Sequence, residues 1–118
     1  MTRSPQEVFS HHVQALADRD IDALIKDYSA DALILTPQGA LEGTAGAEQF
    51  YQQAFQALPD AQFTVRWTVY GQDSLMAAWT ATASVGHVDD GVDTLSFTDG
   101  TIHLHASSFT ITPTDTAS

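Results

Sequence analysis

The chain has 118 residues, enough for one domain with its own core and too few for two. Asp and Glu outnumber Lys and Arg by 15 to 4, and the net charge of −11 argues against nucleic acid or membranes as partners. The absence of cysteine excludes disulfides, thiolate metal ligands and cysteine nucleophiles. Because the chain shows no apolar signal segment and no run of roughly 20 apolar residues, we expect a cytoplasmic protein.

Capping residues and apolar spacing predict helices in the first half of the chain. Ser4-Pro5-Gln6-Glu7 has the pattern of a capping box with proline in the first turn, and the helix that it starts should end near Asp18. His12 falls on the apolar face of this helix. Asp20 is expected to cap a second helix that ends near Ser29.

A short strand and a third helix follow. Residues 32–39 have the pattern of a strand that Pro37 and Gly39 end. Thr44 is expected to cap the third helix, which Pro59 ends. The inner face of this helix should consist of Ala47, Phe50, Tyr51, Ala54, Phe55 and Leu58.

From residue 62 onward the apolar period changes to two, which indicates strands. The pattern predicts strands over 63–69 and 75–85, a turn over 86–91 and a final hairpin. Trp67 is expected in the core, as large aromatic residues usually are. Helices followed by an antiparallel meander predict the α+β class, with one curved sheet folded around the helices.

The final hairpin carries titratable residues inside apolar strands. Asp93 lies among Val92, Leu95 and Phe97. A buried carboxylate is costly unless it is paired or its pKa shifts. The answering strand carries His103 and His105. A carboxylate and imidazoles that could meet on one face of a sheet indicate a lined pocket, where perturbed titratable groups often perform chemistry.

Segments along nearly the whole chain resemble a SnoaL-like member of the nuclear transport factor 2 superfamily. They are residues 20–32, 36–39, 41–43, 50–51, 91–94 and 99–102. The resemblance implies a cone-shaped α+β half barrel in which three N-terminal helices pack in a curved, mostly antiparallel sheet. It also implies a deep apolar pocket and a homodimer joined through the outer sheet face. We therefore assign residues 1–112 to one domain and 113–118 to a flexible tail.

Activities differ within this superfamily, so the fold alone does not give the function. Aligned with ketosteroid isomerases, Asp93 takes the place of the oxyanion-hole aspartic acid, and Tyr28 and Tyr51 take the places of its supporting tyrosines. His12 replaces the oxyanion tyrosine. Thr36 replaces the general base and cannot abstract a carbon-bound proton at neutral pH. The alignment therefore does not support steroid isomerisation by that mechanism.

Two further family patterns match only in part. Polyketide cyclases would have a histidine at Asp93 and an acid at Ser107, and only His105 matches a commonly polar position. Limonene epoxide hydrolases would have an arginine at Gly91, so their water-activating network is missing. Asp93, His103 and His105 could imitate a two-histidine, one-carboxylate metal site, but this spacing is common in strands and we expect no metal.

The hairpin loop decides which side chains meet. With a two-residue loop at Asp99-Gly100, Asp93 pairs with Ala106 and the histidines lie on the opposite face. With a three-residue loop over 98–100, Asp93 pairs with His105 and they share a face. Apolar patterning favours the first register, whereas the resemblance favours the second, which we adopt. The outer, dimer-forming face would then contain Thr94, Ile102, Leu104 and alternate residues of 63–69.

These observations lead to a hypothesis of a small isomerase, cyclase or lyase that acts on an apolar carbonyl compound without a cofactor. Asp93, protonated or sharing a proton with an imidazole, would donate to a developing oxyanion, and His12 or His105 would move the proton. The ligand would contact Tyr28, Thr36, Tyr51, Trp79, Phe97, His103 and Phe109. The alternative is a non-catalytic binding or accessory domain, in which His12 is a hydrogen-bonded core residue and Asp93 only bonds a hydroxyl.

Overall fold

The computed structural model describes residues 3–114. Its helices are α1 (Pro5–Asp18), α2 (Ile21–Ile25) and α3 (Gly43–Ala57). Its strands are β1 (Tyr28–Thr36), β2 (Gly39–Glu42), β3 (Gln62–Tyr70), β4 (Ser74–Ala83), β5 (Gly86–Thr98), β6 (Thr101–Ser108) and β7 (Thr112–Pro113). The sheet order is β2-β1-β6-β5-β4-β3, with β7 paired to β5. Since only β1 and β6 pair in parallel, the predicted α+β fold with a mostly antiparallel sheet is confirmed.

Helix α1 begins and ends where its sequence predicts. The Ser4 hydroxyl accepts a hydrogen bond from the Glu7 backbone N–H, and the Glu7 carboxylate accepts one from the Ser4 backbone N–H. After Asp18, Arg19 adopts a left-handed conformation with φ 55° and closes the helix. The Arg19 guanidinium donates to the Phe55 carbonyl and lies 4.3 Å from the centre of the Phe55 ring, which fastens the end of α1 to α3.

Three predicted boundaries are wrong. Helix α2 ends at Ile25 rather than near Ser29, because the Asp27 carbonyl accepts a hydrogen bond from the Ile102 N–H and the chain joins the sheet beside β6. Thr44 is not the cap of α3, since the preceding Glu42 holds that position without a side-chain bond. The segment 86–91 is part of β5 and not a turn.

A β-bulge explains a further error, the predicted burial of Trp67. Val65 pairs with Trp79, but Trp67 pairs with Ala78, so that Arg66 is an extra residue in β3. The bulge reverses which face the following side chains point to. Trp67 consequently lies on the outer face and is 42% exposed.

The β5–β6 hairpin contains both a tight turn and a bulge. Asp99 and Gly100 have φ values of 52° and 75°, as in a two-residue type I′ turn, so the predicted three-residue loop is wrong. Phe97 pairs with Ile102, whereas the next pair is Ser96 with Leu104. The extra residue between them is His103, and this bulge shifts the register of the rest of the hairpin by one.

The shifted register pairs Asp93 with Ser107 and Leu95 with His105. The predicted pair of Asp93 with His105 is therefore wrong, but the two residues share a face as predicted, because their partners are two residues apart on the same strands. Ile102 is fully buried in the core, so its predicted place on the outer face is wrong. Ile102 precedes the bulge at His103, so its side chain points to the inner face of the sheet.

The core lies between the helices and the concave face of the sheet. Its larger part joins α1, α2 and α3 to the sheet around Val8, Leu24, Ile34, Tyr51, Leu95 and Ile102. A smaller cluster surrounds Leu58, Ala81 and Val88 at the other end.

The end of the described chain is paired, contrary to the predicted tail from residue 113. Pro113 pairs with Gly86, and the Thr114 N–H donates to the Val85 carbonyl. The rest of that predicted tail, 115–118, lies outside the described residues. Within residues 3–114, every helix is too short or too polar to cross a bilayer.

Candidate functional site

A cavity of about 520 Å³ lies between α1, α3 and the sheet. Its lining is mostly apolar and includes Phe9, Val13 and Leu16 from α1, Phe50, Ala54 and Phe55 from α3, and Phe63, Ala77, Trp79, Leu95 and Phe109 from the sheet side. Asp93, Ser107, His12 and Tyr51 are polar members of the lining. An apolar space of this size with a few convergent polar groups has the form of a small-molecule site.

The Asp93 side chain is 25% exposed and forms part of the cavity wall. Its Oδ1 accepts a hydrogen bond from the Ser107 hydroxyl at 2.7 Å and one from the Trp79 indole N–H at 3.1 Å. Its Oδ2 lies 3.0 Å from Nε2 of His105. Three donors from β4 and β6 thus hold one carboxylate in a single orientation.

The surroundings of Asp93 favour its ionised form. Burial acts to raise the pKa of the carboxyl, but the charge of His105 and the hydrogen bonds from His105, Ser107 and Trp79 together bring the pKa below its usual value. This geometry therefore disfavours the first of the two expected states, in which Asp93 is protonated and unpaired. The contact with His105 fits the other expected state, in which the carboxylate and the imidazole share a proton.

His105 connects Asp93 to a series of buried groups. Its Nδ1 lies 2.8 Å from the Tyr28 hydroxyl, which lies 2.6 Å from the Tyr51 hydroxyl. The Tyr51 hydroxyl lies 2.7 Å from Nε2 of His12. Burial raises the pKa of both tyrosines well above the usual value, so each remains a neutral hydroxyl. Burial also lowers the pKa of His12, despite the opposing hydrogen bond with Asp27.

The series ends at Asp27, whose side chain is fully buried. Asp27 Oδ2 lies 3.2 Å from Nδ1 of His12, and Oδ1 lies 2.8 Å from Nδ1 of His11 and accepts a bond from the Arg3 guanidinium at 3.0 Å. Burial opposes ionisation, but the hydrogen bonds from His12, His11 and Arg3 lower the pKa of Asp27. Sequence reasoning missed this residue, because nothing in its local pattern shows that three donors from the N-terminal segment and α1 converge on it.

Five of the predicted site residues line the cavity: Asp93, His12, Tyr51, Trp79 and Phe109. His12 is there only as a wall, since both of its ring nitrogens are already bonded to Asp27 and Tyr51. His105 is 1% exposed and lies directly behind Asp93. Tyr28 is likewise behind Tyr51 and does not reach the lining.

Three predicted ligand contacts are placed elsewhere. Phe97 is buried in the core instead of the cavity wall. Thr36 lies at the end of β1, where its hydroxyl donates to the Gly39 carbonyl and shapes the β1–β2 turn. His103 is the bulged residue, is exposed and contacts the Thr98 hydroxyl. Because His103 points away from Asp93, the two histidines and Asp93 do not converge, and residues 3–114 contain no group of three such side chains arranged to hold a metal.

Gly91 is required by the packing of Trp79. A Cβ atom at position 91 would overlap the indole ring, which crosses the glycine on the neighbouring strand. Gly91 therefore lets Trp79 lie flat enough to direct its N–H to Asp93. An arginine at this position, as in the epoxide hydrolase pattern, is incompatible with this arrangement.

A curved sheet around three helices, with a cavity between the layers, defines the cone-shaped α+β class of the nuclear transport factor 2-like superfamily. Within it, the chain belongs to the SnoaL-like domain family, whose model matches residues 9–105. The resemblance seen in the sequence is thereby confirmed. No curated protein matches the sequence.

Solved structures of several relatives share the fold. AclR, a candidate hydroxylase from Streptomyces galilaeus, is 21% identical with a TM-score of 0.78, over 92% of this chain and 79% of AclR. A candidate ketosteroid isomerase from Kribbella flavida is 20% identical with a TM-score of 0.77, over 100% and 87% of the two chains. A candidate polyketide cyclase from Sinorhizobium meliloti is 14% identical with a TM-score of 0.72, over 85% and 92%. At these identities the likeness concerns the fold alone.

Proposed function

We propose that this protein is a cofactor-independent enzyme that moves a proton on a small apolar carbonyl compound, as an isomerase, cyclase or lyase does. The observation that carries this proposal is the Asp93 carboxylate in the wall of a mostly apolar cavity, held by Trp79, Ser107 and His105. A structural carboxylate would not need to face such a space. A fixed carboxylate beside a bound ligand is positioned for general acid–base catalysis.

Ligand binding would strengthen Asp93 as a base. In the free protein its pKa is low, and a carboxylate of low pKa removes protons poorly. An apolar ligand would cover the exposed quarter of the side chain and remove water from it. Because desolvation raises the pKa of a carboxyl, the filled cavity makes Asp93 a better proton acceptor than the empty one.

The catalytic cycle has one proton that is taken and returned. Asp93 removes a proton from a carbon next to the ligand carbonyl, and the electron pair moves into an enolate. A neutral Asp93 accepts hydrogen bonds more weakly than the carboxylate does. The Ser107 hydroxyl can then turn from Asp93 and donate to the negative oxygen of the enolate. Return of the proton to another carbon gives an isomerised product, and return to a leaving hydroxyl gives elimination.

A non-catalytic binding protein is the second candidate. It is favoured by the complete pairing of the polar groups: in the described residues, every buried side-chain nitrogen and oxygen has a hydrogen-bond partner. A cavity whose polar groups are already satisfied can hold an apolar ligand without acting on it.

Exchange of ligand hydrogens with solvent separates the two candidates. A panel of small apolar ketones and enones is incubated with the protein in D2O, and deuterium entry next to the carbonyl is followed by NMR. We expect exchange with the parent protein and a loss of at least about 100-fold in Asp93→Asn, the range for losing a general base. Asp89→Asn, which alters a 78% exposed carboxylate of the same strand, is the matched control. Binding without exchange in the parent supports the second candidate.

A further inference from the structure

The hydrogen bonds of the site continue past the cavity as one unbroken series that reaches the protein surface. In order, the series contains Asp93, His105, Tyr28, Tyr51, His12 and Asp27. Its outer member contacts His11, whose side chain is 44% exposed. The mostly buried stretch between Asp93 and His11 is thus bridged by groups that can each carry a proton.

Every interior member is bonded on both sides. His105 and His12 each use both ring nitrogens, one toward each neighbour. The hydroxyl oxygens of Tyr28 and Tyr51 each have two partners, at 2.6 to 2.8 Å. Proton transfer needs a donor on one side of each group and an acceptor on the other, and every interior member of the series meets this requirement.

We propose that this series is a proton relay between Asp93 in the cavity wall and the surface at Asp27 and His11. The proposal rests on the proposed function for the source of the proton, because Asp93 is the group that would take it from a ligand. A ligand that fills the cavity excludes water from Asp93, and the relay then provides a second route to solvent.

The transfer balances at each atom. The transfer starts from the His105 tautomer with its hydrogen on Nδ1, and not from the one that donates to the Asp93 carboxylate. In this state Asp93 holds the ligand proton and donates it to Nε2 of His105, and the other N–H and O–H bonds of the series all point toward Asp27. Asp93 then gives its proton to Nε2 of His105 while Nδ1 of the same ring gives one to Tyr28. Tyr28 passes its hydroxyl proton to Tyr51, which protonates Nε2 of His12, and Nδ1 of His12 protonates Asp27. In the tautomer of His11 that carries its hydrogen on Nε2, the free Nδ1 takes the proton from Asp27, and the exposed ring then releases its Nε2 proton to water.

The tyrosines determine how the protons move. Burial raises their pKa values well above normal, so a free tyrosinate would be costly in this position. Each hydroxyl must therefore gain one proton as it loses the other. After an outward transfer all bonds point inward, and return of a proton to the ligand resets them. An isomerase, which returns what it takes, needs no separate reset step.

Histidine ring nitrogens report on this coupling without any ligand. The protein is labelled with ¹⁵N-histidine, and the ratio of the two His105 tautomers is read by NMR from its ring nitrogens in the parent and in five variants. Asp27→Asn changes the outer end of the series, which His105 does not touch. We expect it to change this tautomer ratio by about tenfold, which corresponds to the one pK unit of coupling between strongly interacting sites. Tyr51→Phe interrupts the series, so adding Asp27→Asn to it should change this ratio by less than half as much.

The control is Tyr70→Phe, a tyrosine on β3 that is 37% exposed, in whose background the full effect of Asp27→Asn should remain. The proposal is overturned if Asp27→Asn leaves His105 unchanged. It is also overturned if Asp27→Asn changes His105 equally with and without the Tyr51 hydroxyl, since the effect would then act through space and not along the series. If Asp27→Asn does not fold, His11→Asn perturbs the same end from the surface. As no turnover is measured, a failure here is distinct from a failure of the proposed function.

Discussion

The inner and outer faces of the sheet are built from the same strands but hold different kinds of side chain. On the inner face, β5 and β6 place Asp93, His105 and Ser107 against the helices. On the outer face, a row across five strands contains Leu35, Ala106, Thr94, Met76 and Val69, none of them charged. In a chain with a net charge of −11, the inner face thus holds a paired carboxylate while this outer row holds no charge.

The difference indicates that the two faces serve different purposes. Buried charges cost free energy even when paired, and apolar residues of the same volume often stabilise a core better. An exposed apolar face is likewise unfavourable for an isolated domain. A domain selected for stability alone would have apolar residues on the inner face and charged residues on the outer face. The inner polar series and the outer apolar row are both explained more simply by binding, of a ligand on one side and of a protein surface on the other.

The largest expected effect comes from breaking the inner pair on one side. His105→Leu leaves the Asp93 carboxylate without its imidazole partner, and losing one member of a buried pair costs about 3 kcal/mol or more. Adding Asp93→Asn removes the unpaired charge and should recover at least about half of this loss, by the same reasoning. Urea denaturation measures both. A single variant as stable as the parent would mean that the pair is not structurally coupled.

Gly91→Ala is expected to have the next largest effect, because the new methyl group overlaps Trp79. Overpacking of this kind costs about 1–3 kcal/mol, and the displaced indole should lose its bond to Asp93. Denaturation gives the cost, and the indole N–H resonance reports the lost bond. Gly39→Ala is a useful comparison, because a Cβ there meets no atom within 4 Å and the cost comes from its φ of 138° alone. An unmoved indole resonance in Gly91→Ala would contradict this account.

The inner groups should also make stability depend on acid in two stages. The folded-state pKa of His12 is lowered, so below the unfolded value of about 6.5 the unfolded chain binds a proton that the folded chain does not, and stability falls with pH. The folded-state pKa values of Asp27 and Asp93 are lowered too, so their contribution is present above about pH 4 and is lost as pH falls further.

Each stage should change stability by at most about 1.4 kcal/mol per pH unit for each proton. His12→Gln should remove the loss of stability that begins near pH 6.5 and keep the one that begins near pH 4. Denaturation at intervals from pH 8 to pH 3 measures both slopes. A flat profile between pH 6.5 and pH 4.5 in the parent would show that His12 takes up its proton in the folded state.

Local signals in the sequence were sufficient for some of this structure and not for the rest. The capping box of α1 acts within four residues, so both ends of that helix were predicted correctly. The bulges at Arg66 and His103 depend on how consecutive strands pair and not on the residues of one strand, and both changed which face the following residues point to. The resemblance supplied the shared face of Asp93 and His105, which residue patterning alone disfavoured.

The polar series itself could be predicted only in pieces. Asp93, His12 and His105 were predicted as catalytic residues, with Asp93 sharing a proton with an imidazole, and Tyr28 and Tyr51 as ligand contacts. That the five belong to one series was not predicted. Their order depends on the register of β1 beside β6 and on the placement of α1 and α3, which are long-range properties. Asp27 was missed because it lies between α2 and β1 and not inside an apolar strand as Asp93 does, so that only its partners show that it is buried.

The smallest effect on folding, and a large one on assembly, is expected at the outer face. We propose that the row from Leu35 to Val69 pairs with a second copy of the chain, because an uncharged face is where two strongly acidic molecules can approach without repulsion. Met76 and Val69 are 40% and 58% exposed in the single chain, so contact would bury substantial apolar area.

Met76→Glu should leave the free energy of unfolding of the monomer within about 0.5 kcal/mol of the parent, as exposed substitutions usually do. It should raise the dissociation constant of the dimer at least tenfold, or about 1.4 kcal/mol. Light scattering over a range of micromolar concentrations measures this. Val85→Glu adds the same charge at a 49% exposed valine outside the row and should not weaken the dimer. A monomeric parent, or equal weakening by both substitutions, would mean that the outer face does not join two copies and that its apolar row must be explained in another way.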